Sequence, residues 1–129
     1  EIKSFAYPFG AKTQTLDYEL QKHFDIIRGT AKGGKKVADN ANFYNGTRLA
    51  NGIGIDSNYE HFSLNYLTKV LNYAKKHNKI VVFYGHKPVD KATNEYEVDL
   101  KTLEMICQFV VSNQMKFYTL QELNSLKKQ

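Results

Sequence analysis

The chain has 129 residues, of which 42% are hydrophobic and 24% charged, as expected for one folded domain with its own core. Its net charge of +5 comes from scattered lysines, which favours a solvated surface over nucleic-acid binding, and no apolar run reaches the roughly 20 residues that would span a bilayer. The single cysteine, Cys107, excludes a disulfide framework and is expected to be a buried core thiol.

The first part of the chain predicts a strand, a helix and a second strand. Residues 5–7 should form a strand that ends at Pro8, because proline cannot donate to a sheet ladder. The apolar residues that follow recur at helical spacing, which predicts a helix with Thr13 or Thr15 as its N-cap. Residues 24–28 are the next strand candidate.

Residues 30–50 combine several Gly and Asn residues with little periodicity, which predicts a long irregular loop. The stretch GTAKGGKK at residues 29–36 imitates a phosphate-binding loop. A true phosphate-binding loop needs Ser or Thr after its lysine and then a helix, whereas Lys36 follows Lys35 here. Nucleotide binding that depends on Lys35 is therefore a third interpretation, behind the two developed below.

A strand and a helix follow this loop. Residues 53–55 predict a short strand that ends at Asp56. The next helix should turn four apolar side chains toward the core on one face. These side chains are Leu64, Leu67, Leu71 and Ala74.

The stretch KIVVFYGHKP at residues 79–88 predicts a central strand that leads to a candidate functional histidine. Its residues 80–83 are apolar without alternation, which predicts a strand covered on both faces, as in a parallel sheet. Gly85 allows the backbone to turn, so His86 should stand at the carboxyl edge of the sheet, where ligands bind and catalytic side chains lie in α/β proteins. A purely structural role is the alternative for a lone histidine.

The last part of the chain predicts a polar loop up to Glu97, a helix that starts at Asp99, a strand at residues 115–118 and a terminal helix capped by Thr119. The side chains expected to point inward from the first of these helices are Leu100, Leu103, Ile106, Cys107 and Val110. Strands that alternate with helices indicate βαβ units and a parallel sheet. The predicted class is therefore α/β, with residues 1–129 as one domain or part of one.

Four short motifs follow one another along the chain. They are FAYPFG at residues 5–10, FDIIRG at 24–29, VVFYGH at 81–86 and FYTLQEL at 117–123. In this order they resemble the C-terminal part of a polysaccharide deacetylase of the NodB-homology type, over essentially the whole chain. The resemblance implies part of a distorted (β/α) barrel, in which a divalent metal, commonly zinc, activates water to remove acetyl groups from a polysaccharide, here one containing N-acetylglucosamine.

The turn after the first predicted strand corresponds to the family's segment that lines the substrate groove. The residues concerned are Tyr7, Pro8, Phe9 and Gly10. The resemblance implies that the backbone N–H of Phe9 helps to hold the oxyanion of the tetrahedral intermediate. Ala6 stands where many family members have an arginine that pairs with the catalytic aspartate, and a subset resembling poly-N-acetylglucosamine deacetylases shares the Phe-Ala-Tyr-Pro form.

The same resemblance makes His86 the general acid that protonates the leaving amine or alcohol. Asp56 is the preferred choice for the carboxylate that orients His86, and Glu60 is the competing choice. The chain lacks the family's early Asp-Asp motif and its His-x-x-x-His metal motif. No metal ligand is therefore assigned within the chain, and the ligands of a zinc or similar ion are expected upstream of Glu1.

The partner implied by the resemblance is an acetylated polysaccharide, and the implied location is secreted, periplasmic or associated with the cell envelope. A sheet edge left open by upstream strands could pair with the N-terminal half of a longer protein or with another copy. The alternative function is a non-catalytic carbohydrate-binding or structural module on the same fold. In that case the tyrosines expected to stack on sugars are Tyr44, Tyr59, Tyr84 and Tyr96.

Overall fold

A curled parallel sheet forms the centre of the molecule, for which a computed structural model describes residues 1–31, 36–60 and 62–128. Its four strands are β1 (Ser4–Ala6), β2 (Ile26–Ala31), β3 (Leu49–Gly54) and β4 (Phe83–Tyr84). They lie side by side in the order in which they occur in the chain, and every neighbouring pair is parallel. The carboxyl ends of all four strands therefore meet at one edge. The predicted α/β class with a parallel sheet is confirmed.

Three α-helices connect or follow the strands, namely α1 (Gln14–Leu20), α2 (Leu64–Lys76) and α3 (Leu100–Ser112). The hydroxyl of Thr13 accepts the backbone N–H of Leu16 at 3.2 Å, so Thr13, rather than Thr15, is the N-cap of α1. Ser63 caps α2 in the same way. Asp99 precedes α3 as predicted, but its carboxylate accepts the N–H of Ala92 at 2.7 Å instead of capping the helix.

Helix α2 packs one stripe of its surface against the sheet. The buried members of this stripe are Leu67, Val70, Leu71 and Ala74, and the residues of and next to β3 that they meet are Ile53 and Ile55. Leu64 is 47% exposed, so its predicted inward position is wrong. Leu64 is the first residue of the helix and is not among its buried residues.

Helix α3 buries a narrower stripe than its hydrophobic pattern predicts. Its buried residues are Thr102, Ile106 and Val110, which recur every four residues and so lie on one face. Leu100 is 41% exposed and Cys107 is exposed, so the predictions that both point inward, and that Cys107 is a buried thiol, are wrong. Apolar character alone could not show which face of the helix meets the sheet.

Two strands extend into the predicted loop between residues 30 and 50. Strand β2 continues through Gly29 and Thr30, and β3 begins at Leu49 instead of residue 53. Their ladder pairs Arg28 with Ala50 and Thr30 with Gly52. Backbone pairing between neighbours thus overrides the low strand propensity of Gly and Asn. The region between the strands contains a short 3₁₀ turn, Asn40–Asn42.

The apolar run at residues 80–83 is less covered than predicted. Only Phe83–Tyr84 form β4, and Ile80, Val81, Val82 and Phe83 are all half-buried. Strand β4 is an edge strand of the described sheet, and an apolar cavity of about 550 Å³ lies between this run and α3. Coverage of both faces is therefore incomplete in the part of the chain that the structure describes.

The region after His86 differs most from the prediction. The predicted polar loop contains two short parallel strands, β5 (Lys87–Val89) and β6 (Glu97–Asp99). Residues 115–118 form no strand, and the terminal helix is a 3₁₀ helix, Glu122–Lys128. Leu123 of this helix is buried against Ile26 and Ala50, on the face of the sheet opposite α2.

Residues 29–36, which imitate a phosphate-binding loop in sequence, are only partly described by the structure. Gly29 and Thr30 belong to β2 and pair with β3, so this end of the motif is a strand rather than a loop. Gly33, Gly34, Lys35 and also His61 lie outside the described residues. None of the helices described is long and apolar enough to cross a bilayer.

Candidate functional site

The segments that leave the carboxyl ends of β1, β3 and β4 enclose a small cavity of about 290 Å³. Backbone hydrogen bonds continue the sheet one residue past its strands, from Tyr7 N to Arg28 O (3.1 Å) and from Ile55 N to Tyr84 O (2.9 Å), which brings these segments together. The cavity is lined by Tyr7, Phe9, Gly10, Arg28, Thr30, Tyr59, Tyr84, His86 and Tyr96. The turn near Phe9 and the imidazole of His86 thus share one rim.

Asp56 holds His86 through two hydrogen bonds. One carboxylate oxygen accepts the backbone N–H of His86 at 2.9 Å, and the other lies 2.8 Å from His86 Nδ1. The Asp56 side chain is fully buried, whereas that of His86 is 48% exposed. Of the two carboxylates proposed from the sequence, Asp56 contacts His86, and Glu60 is exposed and makes no ion pair with it.

This geometry defines which ring nitrogen can exchange a proton with a ligand. A carboxylate only accepts hydrogen bonds, so Nδ1 of His86 carries a proton when it faces ionised Asp56. The other nitrogen, Nε2, is then free of Asp56 and can exchange a proton with a ligand on the exposed side of the ring. The rings of Tyr96 and Tyr84 stand edge-on to the imidazole, with centroids at 5.1 and 6.1 Å. The ring is therefore held on its buried side and flanked by aromatic side chains.

Of the first two residues after β1, Tyr7 lines the cavity and Pro8 does not. Tyr7 is buried, and its hydroxyl donates to Asp17 at 2.6 Å, so the ring forms a wall of the cavity while the hydroxyl is held by the protein. Burial, followed by this hydrogen bond, raises the pKa of Tyr7 to about 12. Pro8 is exposed and does not line the cavity.

Phe9 and Gly10 adopt consecutive left-handed conformations, with φ of 55° and 66°. Gly10 suits such a turn, and a Cβ at its position would also collide with the side chain of Thr30. The left-handed backbone of Phe9 costs about 1–3 kcal/mol in conformational free energy. The Phe9 side chain is fully exposed at the cavity rim. A strained, exposed aromatic residue beside a cavity suggests a binding role more than a packing role.

The four tyrosines that were expected to stack on sugars separate into two groups. Tyr59, Tyr84 and Tyr96 line the cavity. Tyr44 does not, because its backbone N–H bonds to Ile80 O and its hydroxyl to Leu123 O, near the other end of the sheet. The ring of Tyr59 packs directly on Gly54, and burial, followed by a hydrogen bond with Tyr84, raises the pKa of Tyr59.

The loop that carries Tyr96 is organised by the buried carboxylate of Glu97. It accepts the backbone N–H groups of Thr93 and Asn94, both at 3.0 Å, and the ammonium of Lys87 at 3.1 Å. Tyr96 itself has a left-handed backbone, with φ of 59°, and its N–H donates to the side chain of Asn58. The loop thus places the Tyr96 ring against His86.

The Glu97 carboxylate should make stability depend on pH. Bonds from Thr93 N–H, Asn94 N–H and Lys87 lower its pKa from 4.5 to about 2. A lowered pKa in the folded state contributes stability that is present above pH 4.5 and is lost as the pH falls toward 2. Glu97→Gln should therefore be less stable than wild type near neutral pH, and the gap in urea midpoint should shrink between about pH 5 and pH 2.

A second variant controls this prediction. Lys87→Gln removes one charged partner and keeps both backbone hydrogen bonds, so its pH dependence should lie between those of wild type and Glu97→Gln. A constant gap between wild type and Glu97→Gln across this range would show that the carboxylate does not stabilise the loop in this way.

Sequence reasoning missed Arg28, Thr30 and Glu97 as contributors to the site. Arg28 and Thr30 lie two positions apart on β2 and both reach the cavity, as the twofold alternation of a strand requires. Extending the predicted strand beyond residue 28 would have revealed this pair. Glu97 carried no signal, because its role depends on a loop whose conformation is not periodic.

The described residues provide no set of ligands for the divalent metal that the resemblance implies. In residues 1–31, 36–60 and 62–128, no group of three or more His, Cys, Asp or Glu side chains is placed to hold a metal ion. Both carboxylate oxygens of Asp56 are hydrogen-bonded to His86, one to its backbone N–H and the other to Nδ1. No step of the chemistry is therefore assigned to a metal here.

No protein-family model, curated protein or solved structure matches the chain.

Proposed function

We propose that this protein is a hydrolase that removes acetyl groups from a polysaccharide containing N-acetylglucosamine, in the manner of polysaccharide deacetylases. The observation that carries the proposal is the Asp56–His86 pair, which is buried on the Asp56 side and open to a cavity on the His86 side. The four sequential parallel strands are compatible with part of the distorted (β/α) barrel of that class. In that class, ligands bind at the carboxyl edge of the strands.

His86 would act as the general acid. Hydrolysis adds water across the acyl C–N or C–O bond, and the leaving nitrogen or oxygen must gain a proton. Nε2 of His86 donates that proton, while Asp56 keeps Nδ1 bonded and the ring in one orientation. Asp56 is a positioning residue in this scheme, because it touches His86 and not the reacting atoms.

The turn at Phe9 and Gly10 would supply the opposite side of the substrate site. Both residues line the cavity together with His86, which supports the role that the resemblance gives to this segment. The exposed rings of Phe9 and Tyr96 offer flat apolar surfaces of the kind that bind sugar rings. Donation from Phe9 N–H to the oxyanion remains part of the proposal.

The resemblance also implies a metal and a cellular location for this hydrolase, and the open sheet edges allow a partner chain. A divalent metal, with zinc as first choice, would be held by ligands that the resemblance implies upstream of Glu1. The location would be secreted, periplasmic or associated with the cell envelope. The described sheet has β1 and β4 as its edges, and an edge strand can pair with a further polypeptide, such as an upstream segment or a second copy.

Acetate release tests the proposal directly. The natural protein that contains these 129 residues should release acetate from N-acetylglucosamine oligosaccharides or from an O-acetylated glycan, and chelation followed by added Zn²⁺ should abolish and restore the release. An enzymatic acetate assay with mass spectrometry of the sugar product measures both. Intact oligosaccharides after incubation with metal-loaded, folded protein would refute the hydrolase.

The second candidate is a non-catalytic carbohydrate-binding module. The aromatic lining of the cavity favours it, since Tyr59, Tyr84 and Tyr96 would bind a sugar whether or not His86 acts on it. Oligosaccharide binding that shifts the NMR signals of the cavity residues, without any acetate release, would select this function over hydrolysis.

A further inference from the structure

Arg28 occupies an unusual place in the sheet. It extends from β2 across β3, and its guanidinium carbon lies 4.7 Å from the ring centroid of Tyr84 on β4. The two side chains meet above Gly52, where a Cβ would come within 3.1 Å of Tyr84 and 3.3 Å of Arg28. A glycine on the middle strand therefore leaves the space in which a cation stacks on an aromatic ring.

The charge of Arg28 has no counterpart in the described structure. Among residues 1–31, 36–60 and 62–128, no carboxylate forms an ion pair with it, and its guanidinium stacks on Tyr84. The chain's other arginine, Arg48, contrasts with it, because its guanidinium donates to the backbone carbonyls of Gln21, Phe24 and Asp25. Arg48 is a structural residue, whereas the donors of Arg28 are not taken up by any acceptor in the described part of the chain and can serve a ligand.

Arg28 also lines the cavity that contains His86. The described side chains that line this cavity include a guanidinium and an imidazole but no carboxylate, and the nearby carboxylate of Asp56 is bonded to His86. A guanidinium stacked on a ring presents a planar set of N–H donors, which matches the oxygens of an acidic group and can bind them in pairs. The cavity therefore complements a sugar that carries a negative charge.

We propose that Arg28 forms a subsite for an anionic oxygen group, a carboxylate or a sulfate ester, on a sugar residue next to the one that His86 addresses. The inference rests on the proposed function and narrows its substrate from an acetylated glycan to an acidic one. Arg28 is the specificity residue of this subsite, and Tyr84 and Gly52 hold it in place.

Binding measurements with matched tetrasaccharides test the subsite. The probes are a tetrasaccharide of alternating glucuronate and N-acetylglucosamine, the same molecule with its carboxylates reduced to alcohols, and an O-sulfated N-acetylglucosamine tetrasaccharide. Calorimetry at about 0.15 M salt should show that the glucuronate probe, the sulfated probe or both bind about tenfold or more tightly than the reduced probe. The tighter acidic probe identifies the group that the subsite takes.

Three variants assign the preference to Arg28. Arg28→Gln should bring acidic and reduced probes to within about twofold, and Arg28→Lys should keep part of the preference, since it retains the charge and loses the planar donor set. Lys69→Gln makes a comparable charge change at an exposed position on α2 and should leave the preference intact. Circular dichroism and urea titration establish that each variant is folded.

The outcomes separate this inference from the proposed function. Equal binding of acidic and reduced probes by wild type, no binding of either, or a preference that survives in Arg28→Gln would overturn the subsite. None of these results requires acetate release, so the hydrolase can stand without the subsite. Selective binding of an acidic probe without acetate release would instead refute the hydrolase and retain the acidic-glycan site.

Discussion

Replacing His86 with alanine is expected to reduce the rate of acetate release by about 10²–10⁴-fold, the usual contribution of a general acid. The imidazole is the exposed half of a pair whose other half, Asp56, is fully buried, so the variant removes the proton donor while the backbone N–H of residue 86 keeps its carboxylate acceptor. The loss should appear in kcat, with metal content unchanged. Initial rates and metal analysis of the purified natural protein and its variant provide the measurement.

Two matched variants make this result specific. His23→Ala removes an exposed imidazole in the turn that leads from α1 into the amino end of β2, away from the carboxyl edge of the sheet, and should leave the rate unchanged. Asp56→Asn keeps the shape of the side chain but loses its charge, and should lower kcat with little change in KM because it acts through His86. A His86→Ala protein that turns over at the wild-type rate would remove His86 from the mechanism.

The second large effect is expected in the core, where Leu67→Ala should lower the free energy of unfolding by about 2–5 kcal/mol. Leu67 is fully buried on α2 and belongs to the cluster that joins this helix to Ile55 and to α3. Truncation removes buried methyl groups and leaves a cavity that the packed sheet cannot close fully. Urea unfolding followed by circular dichroism measures the change, which should appear as a lower midpoint at a similar slope.

Leu64→Ala provides the control on the same helix. Leu64 is 47% exposed, so the same chemical change should alter stability by no more than about 0.5 kcal/mol. Both variants replace leucine with alanine within α2, so differences in helix propensity cancel. Equal losses for the two variants would mean that α2 does not pack on the sheet through the face described here.

Much of the candidate site could be predicted because it follows from local features. The apolar runs ending at Asp56 and His86 showed that both residues leave parallel strands, and parallel strands share one carboxyl edge. The same argument placed Phe9 and Gly10 after β1. Asp56 was preferred over Glu60 from its place at a strand end, but only the structure shows that its carboxylate contacts both the backbone N–H and Nδ1 of His86.

The sequence by itself determined the alternation of strands and helices as far as His86 and the positions of Asp56 and His86 after strand ends, because hydrophobic periodicity acts over a few neighbouring residues. The tertiary structure alone decided three other features: the length of β2 and β3, the exposure of Cys107, and the meeting of Arg28 with Tyr84. Each depends on contacts between residues distant in the chain, which set strand pairing and the buried face of a helix irrespective of local preference.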